Sequence, residues 1–71
     1  MNKQKIEACE RLCREFLKRA KALEAKAAKN QMEYHTPHDF DFLTSGTRES
    51  GALRRISLDL TMALADLRRA G

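Results

Sequence analysis

Two segments of the chain repeat their apolar residues at helical spacing, with a short aromatic stretch between them. In the first, the apolar positions fall at Ile6, Cys9, Cys13, Phe16, Ala20, Leu23 and Ala27. Steps of three and four alternate, as in the a and d positions of helices packed at a shallow angle. Leu12 and Leu17 flank this seam and widen it. Lys, Glu, Arg, Ala and Leu dominate the segment, and all are strong helix formers. Glu7–Arg11, Glu10–Arg14 and Glu15–Arg19 add i,i+4 pairs with the acid first. The pattern predicts a helix over roughly residues 3–31. Past Leu23 the seam narrows to Ala25, Ala27 and Ala28, which predicts close approach of a second helix at that end. Lys26, Lys29 and Asn30 suit a helix C-terminus closed by a left-handed cap.

The second segment repeats Leu53, Ile56, Leu60, Ala63, Leu64 and Leu67 at the same spacing. It predicts a helix over about residues 47–70, capped by Thr47 with Glu49 in its first turn and facing the first helix. Arg68 and Arg69 stand where the helix dipole favours cations. The fold class is therefore all-α: an antiparallel two-helix hairpin, one domain over residues 1–71. A second stripe on this helix, Leu58, Met62 and Ala65, has no place in that core. Two helices alone rarely bury enough surface to stay folded, and a second apolar stripe marks a partner surface. Assembly of hairpins into a dimeric four-helix bundle through Leu58 and Met62 is the expectation.

Between the helices lies Tyr34-His35-Thr36-Pro37-His38-Asp39-Phe40-Asp41-Phe42-Leu43, with three of the four aromatics, both histidines and the single proline. This concentration makes residues 33–46 the place for unusual chemistry. Thr36, Pro37 and Asp39 have the form of a helix start, with Thr36 as cap, so a helical turn near residues 37–43 is expected. Proline biases Thr36 away from helical geometry and stops the first helix before it. Phe40, Leu43 and Tyr34 are expected to fold over the hairpin end and plug it, with Asp39 and Asp41 in water. Tyr34, Phe40 and Phe42 join Leu58, Met62 and Ala65 as candidate partner-binding residues.

Composition narrows the classes. At 71 residues the chain makes one small domain. No apolar run approaches the eighteen or so residues of a membrane span, and no signal peptide precedes the first helix; the expectation is a cytoplasmic protein away from membranes. Cys9 and Cys13, four apart on one helix, are read as small buried thiols in a reducing compartment rather than a disulfide framework. The net charge of +4 is interspersed with acid and raises the nucleic-acid expectation only slightly.

Candidate chemistry is sparse. His35, His38, Asp39 and Asp41 could be metal ligands, and Cys9 with Cys13 would complete a Cys2His2 set. On a continuous first helix, however, Cys13 lies about 27 Å from residue 31, whereas zinc ligands converge within about 2.3 Å of one ion. That excludes the mixed site; a site made of the turn His and Asp residues alone stays open as a lesser alternative, and no metal ligand or cofactor is assigned. No catalytic motif and no glycine-rich phosphate loop occurs, so no catalytic residue is assigned and enzyme activity is not expected. Arg54-Arg55-Ile56-Ser57 has the form of a basophilic kinase site, but Ser57 sits mid-helix beside the core stripe and is read as structural. Arg11, Arg14, Lys18 and Lys21 recur at helical spacing away from the seam. They form a solvated face or, on the alternative reading, a stripe that follows a phosphate backbone.

Pro37, Phe40 three residues on and a helix opening around Ala52-Leu53 resemble the small needle co-chaperones of type III secretion. The size and basic helices are similar to small phage hairpin proteins that sequester signalling nucleotides. Either resemblance implies a helical hairpin. The Thr44–Thr47 segment departs from both patterns, and these residues are common to many hairpins and assign no family. The expected function is a small non-enzymatic protein–protein interaction module (an adaptor, co-chaperone or accessory regulator) that acts as a homo-oligomer. Its partners would be itself and another protein. The alternative is a nucleic-acid or nucleotide-binding protein using the basic face of the first helix.

Overall fold

The computed structural model describes residues 2–69. Three helices follow in order: α1 over Lys3–Gln31, the short α2 over Phe40–Thr44 and α3 over Arg48–Arg69. α1 packs against α3 as an antiparallel hairpin, and α2 packs on α1 at the turn. Residue 70, included in the expected second helix, lies outside the described residues.

Each start is made by a short polar side chain. The Asn2 carboxamide oxygen accepts from the backbone N–H of Gln4 at 2.8 Å and of Lys5 at 3.3 Å, satisfying two amides that have no partner inside the helix. Thr47 does the same for α3: its hydroxyl accepts from the Ser50 amide at 3.2 Å and donates to the Thr44 carbonyl at 2.8 Å. Gly46 precedes it at φ 72°, a left-handed conformation that suits a residue without Cβ.

The α2 start differs from the sequence expectation. Asp39, not Thr36, is the cap, its carboxylate accepting from the Phe42 amide at 2.8 Å. Gln31 explains the shift. Its side-chain oxygen accepts from the His38 amide at 2.8 Å, and its nitrogen donates to the Thr36 carbonyl at 2.9 Å. That takes one of the two amides, His38 and Asp39, that a Thr36 cap could use, and the helix begins three residues later. The end of α1 also departs from expectation. Met32 is right-handed at φ −63° and no non-glycine residue has positive φ among those described. Asn30 is therefore no left-handed cap. It stays helical, and its side-chain nitrogen donates to the Leu43 carbonyl at 2.8 Å, tying α2 to α1.

The core is thin. Cys9, Leu23, Ala27, Leu43 and Ile56 are its buried apolar residues, joined by Thr44, and no large side chain is fully enclosed among those described. The seam drifts from the sequence reading. Along its seven-residue line, Ile6 is 38% exposed, Cys13 exposed and Ala20 half-buried, while Ala27 is down to 4%. A straight α-helix turns about 20° per heptad against a strict seven-residue repeat, so the inward line runs instead through buried Cys9, Leu23 and Ala27 with half-buried Leu12 and Phe16. Cys13 is consequently a surface thiol, not a buried one. Of the small residues near the turn only Ala27 faces inward, Ala25 and Ala28 being exposed.

Two polar cross-links set the register. Lys5 Nζ lies 3.4 Å from an Asp66 carboxylate oxygen at the open end. Arg19 donates to the Ala52 carbonyl at 3.1 Å and to Glu15 at 2.9 Å nearer the turn. The result is a rod of 52 × 16 × 15 Å with a radius of gyration of 15.7 Å, against about 11 Å for a compact chain of this length. Its accessible surface is 5715 Å² for 8.1 kDa. A folded monomer of that mass exposes about 4,500 Å², so the hairpin carries about 1,200 Å² more.

Candidate interaction surfaces

Four surfaces merit attention, and all follow from which side of each helix the thin core leaves uncovered. The first is the outer stripe of α3. Stepping about 100° per residue from the buried Ile56 puts Leu58, Met62 and Ala65 on the far side of the helix. Leu58 is 61% and Met62 71% exposed, while Ala65 is half-buried. Gly51, seven residues before Leu58, continues the stripe, and nothing lies within 4 Å of where its Cβ would stand.

The second surface was not read from the sequence. The cross-links through Lys5, Glu15, Arg19, Ala52 and Asp66 occupy one flank of the hairpin. On the opposite flank the same helical stepping places Ile6, Cys13 and Leu17 of α1 on the same side as Leu64 of α3, with Leu64 level with Ile6 at the open end. Leu17 is 59% exposed, and Ile6 and Leu64 are 38% exposed. The sequence pattern puts Ile6, Cys13 and Leu64 in the internal seam and Leu17 at its margin; the structure places all four on this outer flank. The signal that separates them is the drift between a period of 3.6 and a repeat of seven.

The third is the aromatic turn. Tyr34, His38 and Phe42 form one cluster: His38 stacks on Phe42 with centroids 4.4 Å apart, and Tyr34 meets both edge-on at 4.5 and 5.6 Å. Such ring pairs contribute about 0.5–1.5 kcal/mol each beyond the area they bury. Gln31 fixes the backbone of this loop through Thr36 and His38. The expected plug is only partly realised. Of the three, only Leu43 turns inward, because α2 starts at Phe40 and its buried positions fall at Leu43 and Thr44; Phe40 and Tyr34 remain exposed.

The fourth surface is the back of α1, where Arg11, Arg14, Lys18 and Lys21 are all exposed. Their interleaved acids compensate weakly: Glu10 lies 4.0 Å from Arg14, and Glu15 is engaged with Arg19 on the flank. Over ten residues the stripe spans about 15 Å.

Elsewhere, Ser57 donates its hydroxyl to the Arg54 carbonyl at 2.7 Å within α3. Among the described residues no group of three or more His, Cys, Asp or Glu is placed to hold a metal ion, and no pocket opens on the surface. No described helix is long and apolar enough to cross a membrane. Comparison with protein-family models, with curated proteins and with solved structures gave no match.

Proposed function

We propose that this protein is a small non-enzymatic protein–protein interaction module that works as a homo-oligomer, two hairpins closing into a four-helix bundle. The observation that carries the reading is the surplus of surface. The hairpin exposes about 1,200 Å² more than a monomer of its mass, while a stable association takes about 800 Å² from each partner. Leu58, Met62 and Ala65 on α3, with Tyr34, Phe40 and Phe42 at the turn, give an assembled bundle apolar contacts for a further protein. Cys9 and Cys13 are free thiols, which suits the reducing cytoplasm. Light scattering behind a sizing column tests the reading. Two copies give about twice 8.1 kDa. A fully helical chain that stays at 8.1 kDa across a hundredfold range of concentration overturns it.

A second reading rests on the exposed cations of α1. Arg11, Arg14 and Lys18 lie on the side of α1 away from the core, with Lys21 one turn from Leu17 at its edge, so a bundle could bind a nucleic-acid backbone without dissociating. Four phosphate contacts would give a log–log salt slope of about −3.6, a loss of about a hundredfold in affinity between 50 and 200 mM salt. Fluorescence anisotropy with a labelled duplex measures this, and absence of binding at low salt removes the reading.

A further inference from the structure

We infer that the surface covered by a second copy of this chain is the flank bearing Ile6, Cys13 and Leu17 of α1 and Leu64 of α3, rather than the outer Leu58–Met62 stripe. The inference rests on the proposed self-association and names its interface. Two observations support it, and symmetry completes the argument.

The hairpin core is sealed on one side only. Along one flank the Lys5–Asp66 pair and the Arg19 bond to the Ala52 carbonyl close the gap between the helices with polar groups. Along the other no cross-link between the two long helices is found among the described residues, and the half-buried Ala20, Leu53 and Leu60 lie toward exposed Leu17 and Leu64. Covering this flank finishes the burial of residues that already belong to the core. Covering the outer stripe adds the back of α3 and leaves the core open.

The flank also draws on both helices, as one layer of a four-helix bundle must. The outer stripe belongs to α3 alone, and a partner seated there builds a second, separate interface. A surface that continues into residues the hairpin core already half-buries is the one association fills first.

Finally, a two-fold axis running along the rod lays the α1 edge of this flank on one copy along the α3 edge of the flank on the other. The same rotation gives an isologous, closed contact, the commonest form of small homo-oligomer.

Two experiments on the full chain test this together. The first compares the solution mass of wild type, Leu17→Glu and the double variant Leu58→Glu/Met62→Glu. Leu17→Glu is expected to shift the midpoint of dissociation at least tenfold toward higher concentration, and the double variant to keep the wild-type mass. The second follows maleimide addition to Cys13 in wild type, located by peptide mass. Labelling is expected to slow at least tenfold when the protein is assembled relative to dilute protein. If the double variant dissociates while Leu17→Glu does not, or if assembled protein labels at Cys13 as fast as dilute protein, the flank is not the interface, although self-association stands. A wild type that never exceeds 8.1 kDa removes self-association itself and this inference with it. Should Leu17→Glu fail to fold, the labelling of wild type still decides.

Discussion

One chemical change, glycine to alanine, should act with opposite signs at two positions five residues apart. Gly51 sits in the opening turns of α3, its amide bonded to the Thr47 carbonyl at 3.3 Å, and its missing Cβ would meet nothing within 4 Å. Alanine there adds no clash and removes the backbone freedom glycine brings to the unfolded chain. The helix-interior difference is about 0.8–1.0 kcal/mol, reduced to about 0.5–1 because the site is close to the helix start. Gly46 is also open, but its φ of 72° is left-handed. An L-residue in that conformation costs about 1–2 kcal/mol. For a chain of this size each kcal/mol moves the melting temperature by about 4–8 °C. Gly51→Ala should therefore raise Tm by about 2–8 °C, and Gly46→Ala lower it by about 4–16 °C. Helical ellipticity against temperature measures both, at one fixed protein concentration because assembly adds to apparent stability. A fall in Tm for Gly51→Ala would refute the open environment of that residue. It would mean that another helix lies against the outer stripe in the assembled protein, which is also the arrangement that the flank interface excludes.

Other substitutions separate the interactions that hold the hairpin. Ile56→Ala removes the most buried large side chain of α3, at 4% exposure, and should cost about 2–5 kcal/mol. Such a loss matches the whole stability of many domains this small, so the expected melt is broad and non-cooperative. A sharp transition within a few degrees of wild type would contradict the thin core. Arg19→Ala loses the bonds to Ala52 and Glu15 and should cost about 1–2 kcal/mol in urea unfolding, charged hydrogen bonds being the stronger kind but this one half in water. Asp66→Asn, by contrast, weakens only a solvent-exposed pair and should cost less than about 0.5 kcal/mol; equal costs would mean that the open end is held as firmly as the middle.

The long helices were legible because local and tertiary signals agree there. Good helix formers, acid-first charge pairs and an apolar period all favour the same state from Lys3 to Gln31, and Thr47 with Gly46 before it marks the second start plainly. The turn was harder to read. Thr36-Pro37 looks like a helix start on its own, and what overrides it is a long-range side chain, Gln31, whose amide satisfies the donor and acceptor that would otherwise recruit Thr36. Glutamine at a helix end carries no such message in sequence. Likewise nothing in the order of Tyr34, His38 and Phe42 announces that their rings meet, since the contact depends on the loop Gln31 holds.

The most informative disagreement concerns the apolar line itself. Ile6, Cys13, Ala20 and Ala27 keep a strict spacing of seven, yet the first two are exposed, Ala20 is half-buried and Ala27 is buried as the line rotates into the core. A seven-residue repeat stays on one side of a helix only when the helices supercoil around one another. A pair of short helices joined at one end gains little by bending, and here α1 follows its own period of 3.6 and leaves the first half of the line outside. On the interface inferred above, a second hairpin changes that balance: Ile6 and Cys13 gain neighbours on the flank while Ala20 and Ala27 keep theirs within the hairpin. One line of residues then serves two contacts, with α3 near the turn and with the other copy near the open end. The seam read from sequence and the buried line of the single hairpin differ because, on this account, the repeat describes the assembly and the period describes the helix.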